Sequence, residues 1–382
     1  MRHTLTVLAA LLAIAVPAAA QIGKTVAISA GSDEDHALTA INNAADGPDK
    51  IALIDKFMTS YGKGDFELLG DQLYVQTYLA MKDYPKVFEY GDKALALDPD
   101  NLSVAINEVR AADASGDTDR LFDAGEKVSQ MVARYKAQTA PAGTAPDQWA
   151  QLRTVGLQKA EPDISYAEYT MVQAAYKASD SAAKAVLFER YAAAFPDSPY
   201  TEGARDQAAF AYQQGRNTDK MVASAQSALT ADPNDASMLL LLADYWSDNN
   251  QHLDEAGADA QKALDAIGQS KKPDNVTDAQ WLQQESLEKG IAYSSLGQVD
   301  LIKGRDTKAI GELRQASPLL QSTAFYYGRN LYRLGFALAK AKRIPEARVV
   351  LTEAMSVDSP YKAQAREAVN KIGGPVATHK RS

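Results

Sequence analysis

A degenerate helix-hairpin repeat of roughly 34 residues dominates this sequence and restricts the folds open to it. It is clearest in residues 84–100 and 331–354. In the first stretch, a turn precedes an amphipathic helix that stops at Asp98-Pro99. Because one such hairpin cannot bury its apolar face alone, its copies must stack into a solenoid. The usual work of a solenoid is to hold other molecules, so the repeat indicates a class of function without naming a partner.

Small and apolar residues recur at fixed offsets within each unit. Counted from Leu68, the offsets 7, 8, 11, 20, 24 and 27 hold Tyr74, Val75, Tyr78, Val87, Gly91 and Ala94. The final unit repeats this spacing with Leu334, Gly335, Leu338, Ala347, Leu351 and Ala354. The pattern resembles the tetratricopeptide (TPR) repeat, in which small residues at offsets 8, 20 and 27 let two helices approach closely. Asp71 departs from it, because the family usually has an aromatic residue there.

The resemblance extends over most of residues 35–372 and implies an all-α fold, a right-handed superhelical solenoid of TPR-like hairpins. We expect N-terminal repeats over 35–138 and C-terminal repeats over 165–360. The stretch TAPAGTAP (139–146) indicates a linker or irregular insert over 139–164. A capping helix and tail are expected over 361–382.

The first 20 residues have the pattern of a secretory signal peptide. A short basic start precedes an apolar run of 12 residues, 5–16, and Pro17-Ala18-Ala19-Ala20 then places small residues before a cut at Ala20-Gln21. A membrane anchor would need roughly 18–20 apolar residues. We therefore expect a periplasmic or secreted protein whose residues 21–34 form a flexible N-terminal segment.

Composition excludes several kinds of site. The chain has no cysteine, which rules out disulfides, thiolate metal sites and cysteine nucleophiles. Its formal net charge of −9, without a long Lys/Arg run, argues against binding to nucleic acid or to anionic membranes.

No constellation typical of catalysis stands out. His36 and His252 have no neighbour at metal-ligand spacing, and GxSxG, HExxH and phosphate-binding Gly loops are missing from the sequence. The acidic run Ser32-Asp33-Glu34-Asp35 could attract a cation, but an N-cap with acidic residues in the first helical turn is the favoured interpretation. We expect no catalytic, cofactor-binding or metal-binding residues.

TPR proteins usually bind ligands on a concave face lined by the first helix of each hairpin. The resemblance places eight residues there: Tyr166, Tyr169, Gln173, Tyr176, Phe210, Gln213, Tyr332 and Phe336. Aromatic residues at such positions suit the capture of a peptide or an apolar strand. Packing of the same rings against a neighbouring helix explains them equally well, for Tyr176 and Phe336 especially.

Two functions remain open at this point. The first is a non-catalytic exported scaffold that binds a protein or peptide partner, in bacterial envelope assembly or maintenance. The second is an envelope enzyme or glycan-handling protein that uses the solenoid as a platform. The segments 139–163 and 268–277 discriminate between them, since the second function needs these segments to bring acidic residues together over the groove. Homo-oligomerisation through an uncapped solenoid end is a third possibility.

The export interpretation predicts the effect of two charges in the apolar run. Replacing Leu11 and Leu12 with arginine should leave an unprocessed precursor in the cytoplasm, because the run would no longer insert. Cell fractionation and immunoblotting would measure this, with Leu11→Ile plus Leu12→Ile as the apolar control. Processed protein outside the inner membrane in the arginine variant would contradict the interpretation.

Overall fold

The computed structural model describes residues 22–373, so the expected signal peptide lies outside the described residues. Within that range the chain is all-α, with seventeen helices and no strand. The helices are α1 Asp33–Asn43, α2 Pro48–Tyr61, α3 Asp65–Met81, α4 Tyr84–Leu97, α5 Leu102–Ser115, α6 Thr118–Ala137, α7 Pro146–Lys177, α8 Ser181–Ala194, α9 Thr201–Gln214, α10 Thr218–Ala231, α11 Ala236–Asp248, α12 Leu253–Gln269, α13 Asp278–Ile302, α14 Asp306–Leu319, α15 Ala324–Lys340, α16 Ile344–Ser356 and α17 Lys362–Lys371.

Within each of two compact units, consecutive helices pack against one another, and α17 packs against α15 and α16. The chain divides into two compact units at Ala204/Arg205. The sequence placed the division at residues 139–164 instead. That expectation does not fit the structure, because α7 runs without a break from Pro146 to Lys177.

Burial explains why α7 begins directly after a stretch that resembles a linker and continues through a proline. Trp149 is buried, and its ring meets that of Tyr135 at 6.1 Å between centroids. The Trp149 indole N–H donates to the carbonyl oxygen of Gln138 at 3.0 Å. This packing on α6 offsets the backbone hydrogen bond that Pro162 cannot donate inside the helix.

The TPR-like hairpins depend on close contact between their two helices. A Cβ on Gly335 in α15 would overlap the side chain of Leu351 in α16, and Gly297 in α13 stands in the same relation to Leu313 in α14. Ala354 is fully buried at the next crossing. The small residues that the sequence placed at helix crossings are therefore at the crossings.

Eight of the described helices begin with a side-chain cap. Asp and Asn side chains accept the capping hydrogen bond at the start of six helices, α4, α5, α6, α8, α10 and α11. Ser32 accepts from the Asp35 backbone N–H at 3.2 Å at the start of α1. The cap interpretation of the acidic run is thereby confirmed. Thr277 and Gln280 form a capping box at the start of α13.

The turns inside six hairpins contain a residue with a left-handed backbone. Two turns use a glycine, Gly116 or Gly304, three use a basic residue, Lys82, Arg216 or Lys342, with φ between 55° and 61°, and the α11–α12 turn uses Asn250 and His252. Each turn ends the first helix and starts the second within a few residues. A left-handed residue lets the chain reverse in so short a distance.

The segment after the expected cleavage site lies against the turn between α4 and α5. Ile22 is buried, and the Lys24 backbone N–H donates to the Asp98 carboxylate at 2.8 Å. The Lys24 ammonium donates to the Leu97 carbonyl oxygen at 3.0 Å, and Val26 packs beside Leu68. These contacts differ from the flexible segment expected for residues 21–34, because the partner of the segment is far away in the sequence.

Several carboxylates are buried inside the hairpins. Asp71, which departs from the TPR pattern, is 3% exposed. Burial raises its pKa to about 6, although the nearby Lys93 opposes the shift and Glu67 adds to it. Burial also raises the pKa of Glu108, which pairs with Lys127 at 3.1 Å. These acids hold protons more tightly in the folded chain than ordinary carboxylates do.

The helix crossings predict the cost of enlarging a small residue. Ala354→Leu should lower the free energy of unfolding by roughly 1–3 kcal/mol, because the added atoms overpack a fully buried contact. Val349→Leu in the same helix, at a side chain that is 56% exposed, is the control. Chemical denaturation measures both variants. Equal stability of the Ala354→Leu variant and the parent would mean that the repeat frame is misplaced in α16.

The buried Asp71 carboxyl group should make the free energy of unfolding depend on pH. Its pKa is raised on folding, so the folded chain binds a proton that the unfolded chain releases between pH 3.8 and about 6. The free energy of unfolding should therefore fall as pH rises through this window, by about 3 kcal/mol at most. Asp71→Asn should flatten that part of the curve, whereas Asp119→Asn, at an exposed residue in the first turn of α6, should leave it in place. Superimposable curves for Asp71→Asn and the parent would contradict the assignment.

Candidate functional site

One stripe of α7 carries the four site residues predicted in the first unit. Tyr166, Tyr169, Gln173 and Tyr176 follow one another at three- and four-residue steps, which places them on one face of the helix. Tyr169 is 53% exposed and Tyr176 is 48% exposed. The opposite side of the helix, which includes Met171 and Ala175, is fully buried. The structure therefore brings these four residues together on an accessible helix face.

Two charged residues of α5 extend the stripe. The Tyr166 hydroxyl donates to the Asp113 carboxylate at 3.4 Å, and the Arg110 guanidinium lies 5.7 Å from the Tyr166 ring centre. Arg110 also forms an ion pair with Asp163 at 2.8 Å. Burial, and then the Asp113 carboxylate, raise the pKa of Tyr166. We call Arg110, Asp113, Tyr166, Tyr169, Gln173 and Tyr176 together the α5–α7 surface.

The tyrosines of the stripe were expected either to capture a partner or to pack against a neighbouring helix, and each explanation applies to part of the stripe. The Tyr176 ring meets the edge of Phe188 in α8 at 4.9 Å between centroids, so one side of it packs within the hairpin. About half of the Tyr176 side chain nevertheless stays accessible. Tyr169 has the most exposed ring of the stripe. Accessible rings of this kind, held in place by a helix, offer contact area at little entropic cost.

The other four predicted residues lie in the second unit, on α9 and α15. Phe210 and Gln213 are on α9, where Phe210 is half-buried and Gln213 is exposed. Tyr332 on α15 is also half-buried, with its ring 6.1 Å from that of Tyr361, so it contributes to packing of the end of the chain. Phe336 is exposed on α15.

A buried ionic network in the second unit was not identified from the sequence. Arg329 and Arg333 of α15 are almost completely buried, and they reach across α13 to Asp244 and Asp248 of α11. Arg333 also donates to the Ser294 hydroxyl at 3.0 Å. The two Asp residues and the two Arg residues are each four positions apart in the sequence, and this spacing was the available signal. We call these four charged residues the α11–α15 network.

The described residues contain no group of three or more His, Asp or Glu side chains placed to hold a metal ion. His252 directly precedes α12, and its ring is tilted against that of Trp246, with 5.2 Å between ring centroids. Among residues 22–373, no helix has the length and apolarity needed to cross a membrane.

Comparison with known proteins gives only distant likenesses. No family model matches the chain, and no curated protein matches it. Among solved structures, the TPR domain of P58(IPK) shares 12% identity at a TM-score of 0.30, over 89% of this chain and 97% of that chain. The APC/C hetero-tetramer Cut9-Hcn1 shares 13% identity at 0.31, over 89% and 90%. Yeast Tom70 shares 14% identity at 0.27, over 89% and 87%. At such scores, the TPR-like fold rests on the hairpins and helix crossings of this chain itself.

Proposed function

We propose that this protein is a non-catalytic exported scaffold that binds a protein or peptide partner on the α5–α7 surface. The observation that carries the proposal is the exposure of Tyr169 and Tyr176 on a helix whose other side is buried. A ring that stays accessible while the hairpin holds its backbone can be covered by a partner without much loss of entropy. The charged residues Arg110 and Asp113 beside the rings supply polar contacts around them.

The proposed partner is a polypeptide because of the shape and chemistry of the surface. Three tyrosine rings and one amide are spread over three turns of α7. Three helical turns span about 16 Å, the length of an extended segment of roughly five residues. Tyrosine is also among the side chains that contribute most to protein–protein binding energy.

The two discriminating segments support the scaffold over the platform enzyme. Residues 146–163 belong to α7, and Asp163 is engaged by Arg110. In the loop before α13, Lys272 pairs with Asp278 at 3.0 Å. An acid pair that worked on a glycan would need two carboxylates facing one substrate. Asp163 and Asp278, in and beside these segments, are each paired with a basic side chain instead.

Export is part of the proposal and depends on the N-terminal pattern. The 12-residue apolar run and the small residues before Gln21 support cleavage and release into the periplasm or the medium. The net charge of −9 and the lack of cysteine are compatible with such a location. We therefore place the scaffold in the bacterial envelope, where it would take part in assembly or maintenance.

The proposal predicts selective loss of the partner when the rings are removed. The chain from Gln21 onward is used to capture cross-linked proteins from an envelope extract of the producing cells, with quantification by mass spectrometry. Tyr169→Ala with Tyr176→Ala should reduce capture of the principal partner more than tenfold, because losing central aromatic residues typically costs more than about 2 kcal/mol.

Tyr200→Ala is the matched control, since that ring is 44% exposed but lies outside the α5–α7 surface. Circular dichroism should show the same helical content in all variants. Equal capture by the parent and the double variant would reject the α5–α7 surface as the binding site. Equal loss in the double variant and in the Tyr200→Ala control would point to a non-specific effect.

A further inference from the structure

A pocket of about 290 Å³ opens in the second unit, above the α11–α15 network. It lies between the turn that joins α9 to α10, the end of α11 and the start of α15. Eleven residues line it: Gln213, Arg216, Thr218, Met221, Asp244, Tyr245, Asp248, Asn249, Phe325, Tyr326 and Arg329. The volume is at the low end for ligand pockets. It excludes a partner helix, which is about 10–12 Å across, and fits a single side chain.

The charges that line the pocket cancel. Arg216 and Arg329 carry two positive charges, and Asp244 and Asp248 carry two negative charges. Arg329 donates to both carboxylates, and Arg333 donates to Asp248 from beneath. An anionic ligand would meet these carboxylates, and a cationic ligand would meet the guanidinium groups. The lining therefore favours an uncharged group.

Rings supply much of the remaining wall. The Arg329 guanidinium lies 5.4 Å from the ring centre of Phe325 and 5.1 Å from that of Tyr326. Tyr245 is a third ring in the lining, and Phe325 is 43% exposed. Ring faces and edges that are fixed by a buried guanidinium offer a place for another planar group.

One hydrogen-bond acceptor of the pocket is still available. Asp244 uses its Oδ1 atom to accept from Arg329 and from the Ser295 hydroxyl, the latter at 3.3 Å. Its Oδ2 atom accepts no hydrogen bond from any residue within 22–373, and the Asp244 side chain is 16% exposed. A carboxylate oxygen in this position can accept a hydrogen bond from a neutral O–H or N–H group of a ligand.

We infer that this pocket holds one aromatic side chain with a polar hydrogen, a tyrosine or tryptophan, presented by the partner. Its ring lies against Phe325, Tyr326 and Tyr245, and its O–H or N–H donates to Asp244. The inference rests on the proposed function, since it names the kind of residue that a polypeptide partner would place in the second unit. It adds a specificity determinant that is independent of the α5–α7 surface.

Two neutral probes test the donor requirement on the parent chain from Gln21 onward. N-acetyl-L-tyrosinamide and N-acetyl-L-phenylalaninamide differ only by the hydroxyl group. Ligand-observed NMR titration should show the tyrosine probe binding at least about tenfold more tightly, because only it can donate to the carboxylate. The charged probe N-acetyl-L-tyrosine should bind more weakly than its amide.

Variants test the position of the site. Phe325→Ala should weaken binding of the tyrosine probe about tenfold, and its exposed side chain makes the fold insensitive to the change. Phe336→Ala is the control, because that ring is exposed on the same helix but does not line the pocket. The parent chain with the two probes decides the question even if a variant fails to fold.

Equal binding of the tyrosine and phenylalanine probes would overturn the inference, as would tyrosine binding that survives Phe325→Ala. Preferential binding of the carboxylate probe would overturn it as well, since the charge argument would then be wrong. These failures leave the proposed function standing when Tyr169→Ala with Tyr176→Ala still abolishes partner capture. The converse outcome is equal partner capture by the parent and by the Tyr169→Ala with Tyr176→Ala variant while the tyrosine probe still binds. That outcome would reject the α5–α7 surface and retain the pocket.

Discussion

The close approach of two helices at a small residue is the constraint on which this structure depends. In α13 and α15 the small residue is a glycine, and the leucine of the following helix occupies the space that a Cβ would need. Each hairpin becomes a rigid unit in this way, since neither helix can shift without losing that contact. Rigid hairpins then bury their remaining apolar faces by stacking, which fixes where exposed rings such as Tyr169 can stand.

Residues whose partners are close in sequence could be predicted, and residues whose partners are distant could not. The contact of Gly335 with Leu351 follows from the spacing of one hairpin, as does the cap at Ser32. The stripe from Tyr166 to Tyr176 was predictable for the same reason, because helical spacing alone puts its members on one face. Lys24 and Asp98, in contrast, are 74 positions apart, and the Arg329–Asp244 pair spans 85 positions. The four-residue spacing within the Asp pair and within the Arg pair is visible in the sequence, but no local pattern connects one pair to the other, or Lys24 to Asp98.

The continuity of α7 shows a different limit of sequence patterns. The segment before it is rich in Pro, Ala, Gly and Thr, and Pro162 interrupts the helical hydrogen bonds, so local propensity indicates a break. Burial of Trp149 against Tyr135 outweighs that propensity. As a consequence, the residues expected to form an irregular insert instead extend the helix that carries the tyrosine stripe.

The three basic residues with left-handed backbones have a consequence for the electrostatics of the hairpin turns. A non-glycine residue in this conformation costs roughly 1–2 kcal/mol, while a cation at the carboxyl end of a helix gains about 0.3–1 kcal/mol from the helix dipole. The gain partly offsets the cost, which reduces the disadvantage of lysine or arginine relative to glycine and is consistent with the mixture of Lys82, Gly116, Arg216, Gly304 and Lys342 at these turns. The charge presented by each turn can therefore be varied one position at a time while the packing within its hairpin stays the same, so the surface potential at a turn is adjustable independently of the fold.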